Sequence, residues 1–257
     1  MPFHTAWAVG RTANIRNGRF VAPMDRRQNE TPQIAWAKYP IPRIRHHANP
    51  QVYMPASQQH VIAPWYPPTR ENAEWGSWFG NGRPADVLDL GCGRGAFLLR
   101  HALSHPELNI LGIEVRQVLP DYINEIAHGE GIANAHAEWY SLANGLDWIA
   151  PKSIQYAVYF FPDPWPKKRH HKRRAFTTEF LAMLHRVIMP GGRLWLATDR
   201  PDVDAHQREV IAESAHFTLG PDESDQTWPF PFCTDQQLFC DSRSIPYVRY
   251  SALRNPD

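Results

Sequence analysis

The sequence predicts an α/β protein with a doubly wound, mostly parallel sheet, preceded by a proline-rich extension. Three observations carry this. From residue 86 onward short apolar runs alternate with stretches of helical period, the pattern of strand–helix–strand units. A glycine-rich turn, "GCGRG" at 91–95, links the first apolar run to an amphipathic stretch. Ahead of both, eleven of the 24 prolines fall at or before Pro84, where neither a helical nor an alternating apolar period runs.

The extension spans 1–83. Proline fixes φ, removes a donor and restricts the residue before it, so "YPIPRIRHHANPQVYMPASQQHVIAPWYPPTR" reads as extended or irregular chain. Trp36, Tyr39, Tyr53, Trp65 and Tyr66 give it apolar groups that can lie along a domain surface. The second domain is expected over 84–257. Its strands fall at 86–90, 109–114, 134–139, 154–161 and 192–198, with helices between them. The clearest helix covers 175–188, where Phe176, Phe180, Leu184 and Ile188 recur every four residues until "PGG" ends the run.

Composition narrows the class. At 257 residues, 43% hydrophobic and 21% charged, the chain has the make-up of a globular protein with a sizeable core. Its three cysteines make neither a disulfide framework nor a zinc motif, so no metal and a reducing cytoplasm are expected. No signal-peptide pattern opens the chain and no apolar run reaches the roughly eighteen residues of a membrane span.

The glycine turn holds Gly91 and Gly93 between a strand and a helix N-terminus, where backbone can approach a ligand closely. The same letters satisfy the dinucleotide pattern, so alone they indicate only a nucleotide-like cofactor. Two acids sharpen this. Asp89 ends the first strand, where a carboxylate suits a cationic or amino group better than a pyrophosphate. Glu114 ends the second, about twenty residues after the glycines, placed to accept from both hydroxyls of a ribose. Together they favour S-adenosyl-L-methionine over NAD.

The fourth strand delivers "FPDPWPKKRHHKRR" to that same edge. Two prolines hold Asp163 in a rigid turn, and Trp165 offers a flat wall for a base. Six Lys or Arg follow within residues 167–174, in a chain whose net charge is only +1. Arg173 and Arg174 precede a helix N-terminus, the unfavourable end for cations, so something must offset them. Phosphates would do so, which makes Lys168, Arg169, Lys172, Arg173 and Arg174 a candidate phosphodiester footprint.

In order and approximate spacing, "LDLGCGRGAFLL", "GIEVR", "FPDPWPKKRHHKRR", the "FL" of the next helix, "PGG" and "ATD" resemble the bacterial tRNA (guanine-N7-)-methyltransferases over about residues 84–215. "FPDPWPKKRH" is a specific signature of that family. The resemblance implies a class I S-adenosyl-L-methionine-dependent methyltransferase with a Rossmann-like sheet, adding a methyl group to N7 of the variable-loop guanine of tRNA. It assigns Asp89 (usually Glu in the family) and Glu114 to the cofactor, Asp163 to catalysis and cofactor contact, and Lys167 and Asp199 to the substrate. Ser141 takes the cofactor-binding place where the family usually has an acid. Val248 stands where the family's C-terminal motif has Glu, and the proline-rich stretch replaces its basic N-terminal segment. Three alternatives remain open: a related methyltransferase acting on another RNA position or a small acceptor, an RNA-binding module without catalysis, and a dehydrogenase. Nothing in "FPDPWPKKRH" serves hydride transfer.

Overall fold

Seven strands form one sheet: β1 (Val87–Leu90), β2 (Ile110–Glu114), β3 (Ala135–Trp139), β4 (Ile154–Phe160), β5 (Ile188–Thr198), β6 (Phe217–Asp222) and β7 (Val248–Arg254). They lie in the order β3-β2-β1-β4-β5-β7-β6. The first five pair in parallel, and β7 runs antiparallel to both its neighbours. The computed structural model describes residues 33–44, 48–164 and 174–257, and Ile34–Asp257 make one compact unit. The strand order reverses between β1 and β4, which opens a crevice at the carboxyl ends of β2, β1 and β4.

Pairing register distributes the core. Val87 lies beside Ile110 and Leu88 beside Leu111, so successive residues face opposite layers. Val87 and Ile110 pack with Leu98 and Leu99 of α2 (Ala96–Ser104) and with Ile123 and Ile126 of α3 (Val118–Gly129). Leu88 and Leu111 meet Phe180 and Leu184 of α4 (Thr178–Val187) and Val210 and Ile211 of α5 (Pro201–Glu213). Each fully buried aliphatic side chain of this kind stabilises the fold by roughly 1.5–3 kcal/mol. Two further helices are α1 (Trp75–Trp78), which precedes the sheet, and α6 (Asp235–Arg243), which lies between β6 and β7 in the chain.

The five expected strands all form, with one difference of substance. β5 begins at Ile188, not 192, because Ile188 pairs with Ile154 before the register jumps to Tyr156 and Arg193. The "PGG" stretch stops the helix and then bulges inside the strand, with Gly191 at φ +81°. The helix before it begins at Thr178, since Thr177 accepts from the Phe180 amide at 3.2 Å and caps it. β6 and β7 lack an apolar signature. β7 lies inside the sheet yet carries Arg249 and Arg254, the latter buried and donating to the carbonyls of His185 (3.0 Å) and Asn255 (2.8 Å).

The proline-rich stretch is irregular within its described part, with short 3-10 turns at Trp36–Lys38, Pro50–Tyr53 and Ala56–Gln58. It is also packed. Ile34 and Tyr39 join the α3 layer, and the Tyr39 hydroxyl donates to Glu130 at 2.9 Å. Val52, Ala56 and Tyr66 form a small core of their own against Val115. Several tryptophans cluster. Trp78 meets Trp148 edge to face at 5.9 Å, and Trp195 meets Trp228 at 5.5 Å.

Gly95 shows how closely one helix entry is specified. It stands at φ +74°, and a Cβ there would meet Ile123 Cγ1 at 2.6 Å. Gly95→Ala is therefore expected to cost about 2 kcal/mol or more, from backbone strain and overpacking together, read as a lowered midpoint in urea unfolding.

Candidate active site

Three carboxylates converge on the crevice. β1 brings Asp89, β2 brings Glu114, and the turn after β4 brings Asp163. That turn is strained: Phe161 adopts φ +49°, costing roughly 1–2 kcal/mol for a residue with a Cβ. The Phe161 amide donates to the Ala197 carbonyl at 2.7 Å and its ring meets Tyr247 at 5.9 Å. These contacts hold the kink that turns Pro162 and Asp163 away from the sheet.

Asp89 is 4% exposed, and among the described residues its carboxyl group makes no hydrogen bond. Burial, and then the charge of Glu114, push its pKa up to about 8. A buried carboxyl group without a partner requires an explanation, and a cationic ligand group supplies one. The glycine turn beside it is open. Gly91 and Gly93 adopt φ +75° and +56°, and a Cβ on either would meet nothing within 4 Å. The Gly91 amide ties the turn to β2 by donating to the Ile113 carbonyl at 2.8 Å, and the Gly95 amide closes it by donating to the Cys92 carbonyl at 2.9 Å. Below it, burial drives the Cys92 thiol well above its ordinary pKa, so it stays protonated.

Glu114 is equally buried but fully engaged. It accepts from the amides of Gly93 (3.2 Å) and Arg116 (3.0 Å), and from Arg116 Nε (3.0 Å) and Nη2 (3.1 Å). Four donors fill its lone pairs, so a ribose diol can bind there only as Arg116 unfolds from it. Burial alone would lower the Arg116 pKa; the hydrogen bond and charge of Glu114, with Asp163 beyond, raise it instead. Asp163 accepts from the Tyr53 hydroxyl at 2.7 Å.

The remaining expected residues divide. Ser141 is buried, but its hydroxyl donates to the Val52 carbonyl and accepts from the Ala143 amide at 3.2 Å. Asp199 accepts from Gln236 at 3.0 Å, while the N-cap of α5 is Arg200. Val248 packs against the core beside β5. Arg174 is 8% exposed. Its guanidinium donates to the Pro164 carbonyl at 3.1 and 3.0 Å and to Asp202 at 2.5 Å. The offset that sequence reasoning sought for Arg174 in phosphates is thus Asp202 of the protein itself. Trp165, Lys167, Lys168, Arg169, Lys172 and Arg173 lie outside the described residues. Sequence reasoning missed Tyr53, Arg116 and Gln236: each is defined by a partner distant in sequence or by a turn geometry that no motif encodes.

A cleft of about 510 Å³ opens next to Arg116, with Val52, Trp65, Val115 and Trp139 in its walls. Among the described residues no group of three or more His, Cys, Asp or Glu could hold a metal, and no helix is long and apolar enough to cross a membrane.

The Asp89 carboxyl makes stability depend on pH. Its folded pKa of about 8 exceeds the ordinary 3.8, so between those values the folded state holds a proton that the unfolded chain has released. Stability from this group is therefore lost as pH rises through that window. Urea unfolding at about pH 5 and about pH 8.5 should show wild type losing stability at the higher value, and Asp89→Asn losing less of it.

Comparison with known proteins agrees with this geometry. A family model described as "Putative methyltransferase" matches residues 83–231. A tRNA (guanine-N(7)-)-methyltransferase of Synechococcus sp. (strain JA-2-3B'a(2-13)) is 30% identical over 250 residues, covering 93% of this chain and 97% of that protein. The enzyme of the same name from Synechococcus elongatus is 31% identical, covering 83% and 97%. Among solved structures, the 16S rRNA methyltransferase KamB superimposes with a TM-score of 0.52 at 15% identity, over 73% of this chain and 96% of that one, which establishes a shared fold. Similarity spanning the sheet, the crevice and most of the chain's length means that this protein belongs to the tRNA (guanine-N(7)-)-methyltransferase family.

Proposed function

We propose that the protein transfers a methyl group from S-adenosyl-L-methionine to N7 of a guanine in tRNA, in the variable loop, and that it does so in the cytoplasm. The buried, partnerless Asp89 beside an open glycine turn carries this reading, because that pair suits an aminocarboxylate ligand with a cationic head. When bound, S-adenosyl-L-methionine supplies a methyl group on a cationic sulfur. Asp89 then accepts from the ammonium, Gly91 and Gly93 give close backbone approach, and Glu114, released by Arg116, takes the ribose hydroxyls. The cleft walls Val115 and Trp139 suit the flat purine ring.

Guanine N7 has a lone pair and no proton, so no general base is needed to make it attack. That lone pair forms the new N–C bond as the S–C bond breaks, and the electron pair of the broken bond stays on sulfur. The purine gains a positive charge in the process. Asp163 is the fixed carboxylate that stabilises it, and Asp199, which accepts from Gln236, binds the base. Lys167, Lys168, Arg169, Lys172 and Arg173, with Trp165 as a stacking wall, hold the RNA. Arg174 closes the base of that stretch through Pro164 and Asp202. Because Val248, half-buried against the core, stands where the resemblance expects an acid, a second reading is a different RNA acceptor at the same cofactor site.

Incubation with labelled S-adenosyl-L-methionine and total tRNA should yield 7-methylguanosine on nucleoside analysis, and none from tRNA whose variable-loop guanine is replaced by adenine. Full transfer to the replaced tRNA would promote the second reading. Asp163→Asn keeps shape but removes charge, and turnover should fall by roughly a hundredfold with tRNA affinity little changed. Neutralising two of Lys168, Arg169, Lys172 and Arg173 should lower the salt slope of tRNA binding by roughly one to two units while cofactor affinity holds.

A further inference from the structure

We propose that Tyr53, brought in by the proline-rich segment, is a positioning residue that fixes the Asp163 carboxylate against the acceptor base. This rests on the role assigned to Asp163 above. The Tyr53 hydroxyl reaches across 110 positions of sequence to donate to Asp163 Oδ2 at 2.7 Å. Among the described residues no other donor reaches Asp163, so Oδ1 has none there and can serve the base. Burial and the charge of Asp163 hold the phenol far above its ordinary pKa, which keeps it a donor across the working pH range.

The segment is anchored well enough to give Tyr53 a defined place. Asn49 accepts from the Gln51 amide at 3.1 Å and caps the turn Pro50–Tyr53. The Val52 carbonyl accepts from Ser141, and the Ala56 amide donates to Asn144 Oδ1 at 2.8 Å. The single proton of the Tyr66 hydroxyl is shared between the Met54 carbonyl at 2.7 Å and the same Asn144 oxygen at 3.0 Å. These bonds suffice to hold the segment down. The Tyr53 hydroxyl is spent differently, on the one carboxylate that follows the strained Phe161 turn. A carboxylate held by a charge-assisted bond need not reorient as positive charge develops on the purine.

The test is a double-mutant cycle of Tyr53→Phe and Asp163→Asn in the full chain. It uses steady-state methylation of total tRNA, cofactor calorimetry, and NMR of isotope-labelled tyrosine. Tyr53→Phe keeps the ring and should lower kcat about tenfold, with cofactor Kd and KM for tRNA within about twofold of wild type. In the Asp163→Asn background the same change should cost less than about threefold, because the partner charge is already gone. The Tyr53 resonance, assigned through Tyr53→Phe, should move on Asp163→Asn whichever nucleoside proves to be the product. Three results would overturn the proposal: additive losses, a cofactor affinity that falls as far as kcat, or an unmoved resonance. A rise in kcat would equally reject it, by making Tyr53 an occluding group. If coupling is found on a nucleoside other than 7-methylguanosine, the acceptor reading fails while the positioning role stands.

Discussion

Everything at the crevice follows from placing three acids at the carboxyl ends of neighbouring strands. The order β2-β1-β4 makes Glu114, Asp89 and Asp163 neighbours, and burial keeps water from screening the first two. Like charges so placed are unfavourable, and the molecule relieves each in a different way. Arg116 neutralises Glu114 with two side-chain bonds. Tyr53 steadies Asp163 with a neutral donor. Asp89 has neither, and holds its proton up to about pH 8. The unrelieved acid is the one that the proposed cofactor's ammonium would neutralise.

The proline-rich segment and the serine at 141 are joined by a hydrogen bond. In the family an acid usually stands at that position, and a carboxylate cannot donate to a carbonyl. Ser141 can, and its hydroxyl holds the Val52 carbonyl next to Tyr53. Asn144 completes the attachment with a single oxygen shared by Ala56 and Tyr66.

The five parallel strands were legible because each is an apolar run bounded by turn residues, buried on both faces as β1 and β2 are. The glycine turn and its two acids were legible for a related reason: their spacing follows the strand–turn–helix geometry itself. β7 was not: of its two buried arginines Arg254 is satisfied by the His185 and Asn255 carbonyls and Arg249 by the Asp225 carboxylate, partners that no local pattern announces. Arg174 was misread because charge in a sequence is silent about direction. In the fold it turns inward, and Asp202 lies 28 positions further on. Tyr53 belongs with these. Prolines argued correctly for irregular backbone, but irregular backbone in a 3-10 turn still aims side chains well.

The position of β7 bears on how the chain reaches its native state during synthesis. β6 emerges before β7, yet its pairing partner in the sheet is β7, which also closes the exposed edge of β5. Until residues 248–254 are available, β5 presents an unpaired, apolar border and residues 217–222 have no ladder to join. A nascent chain at that stage displays the kind of edge on which strangers pair. β7 is thus the strand that covers the β5 edge and gives β6 its ladder, and Tyr250 and Ala252, both fully buried, lock it in place.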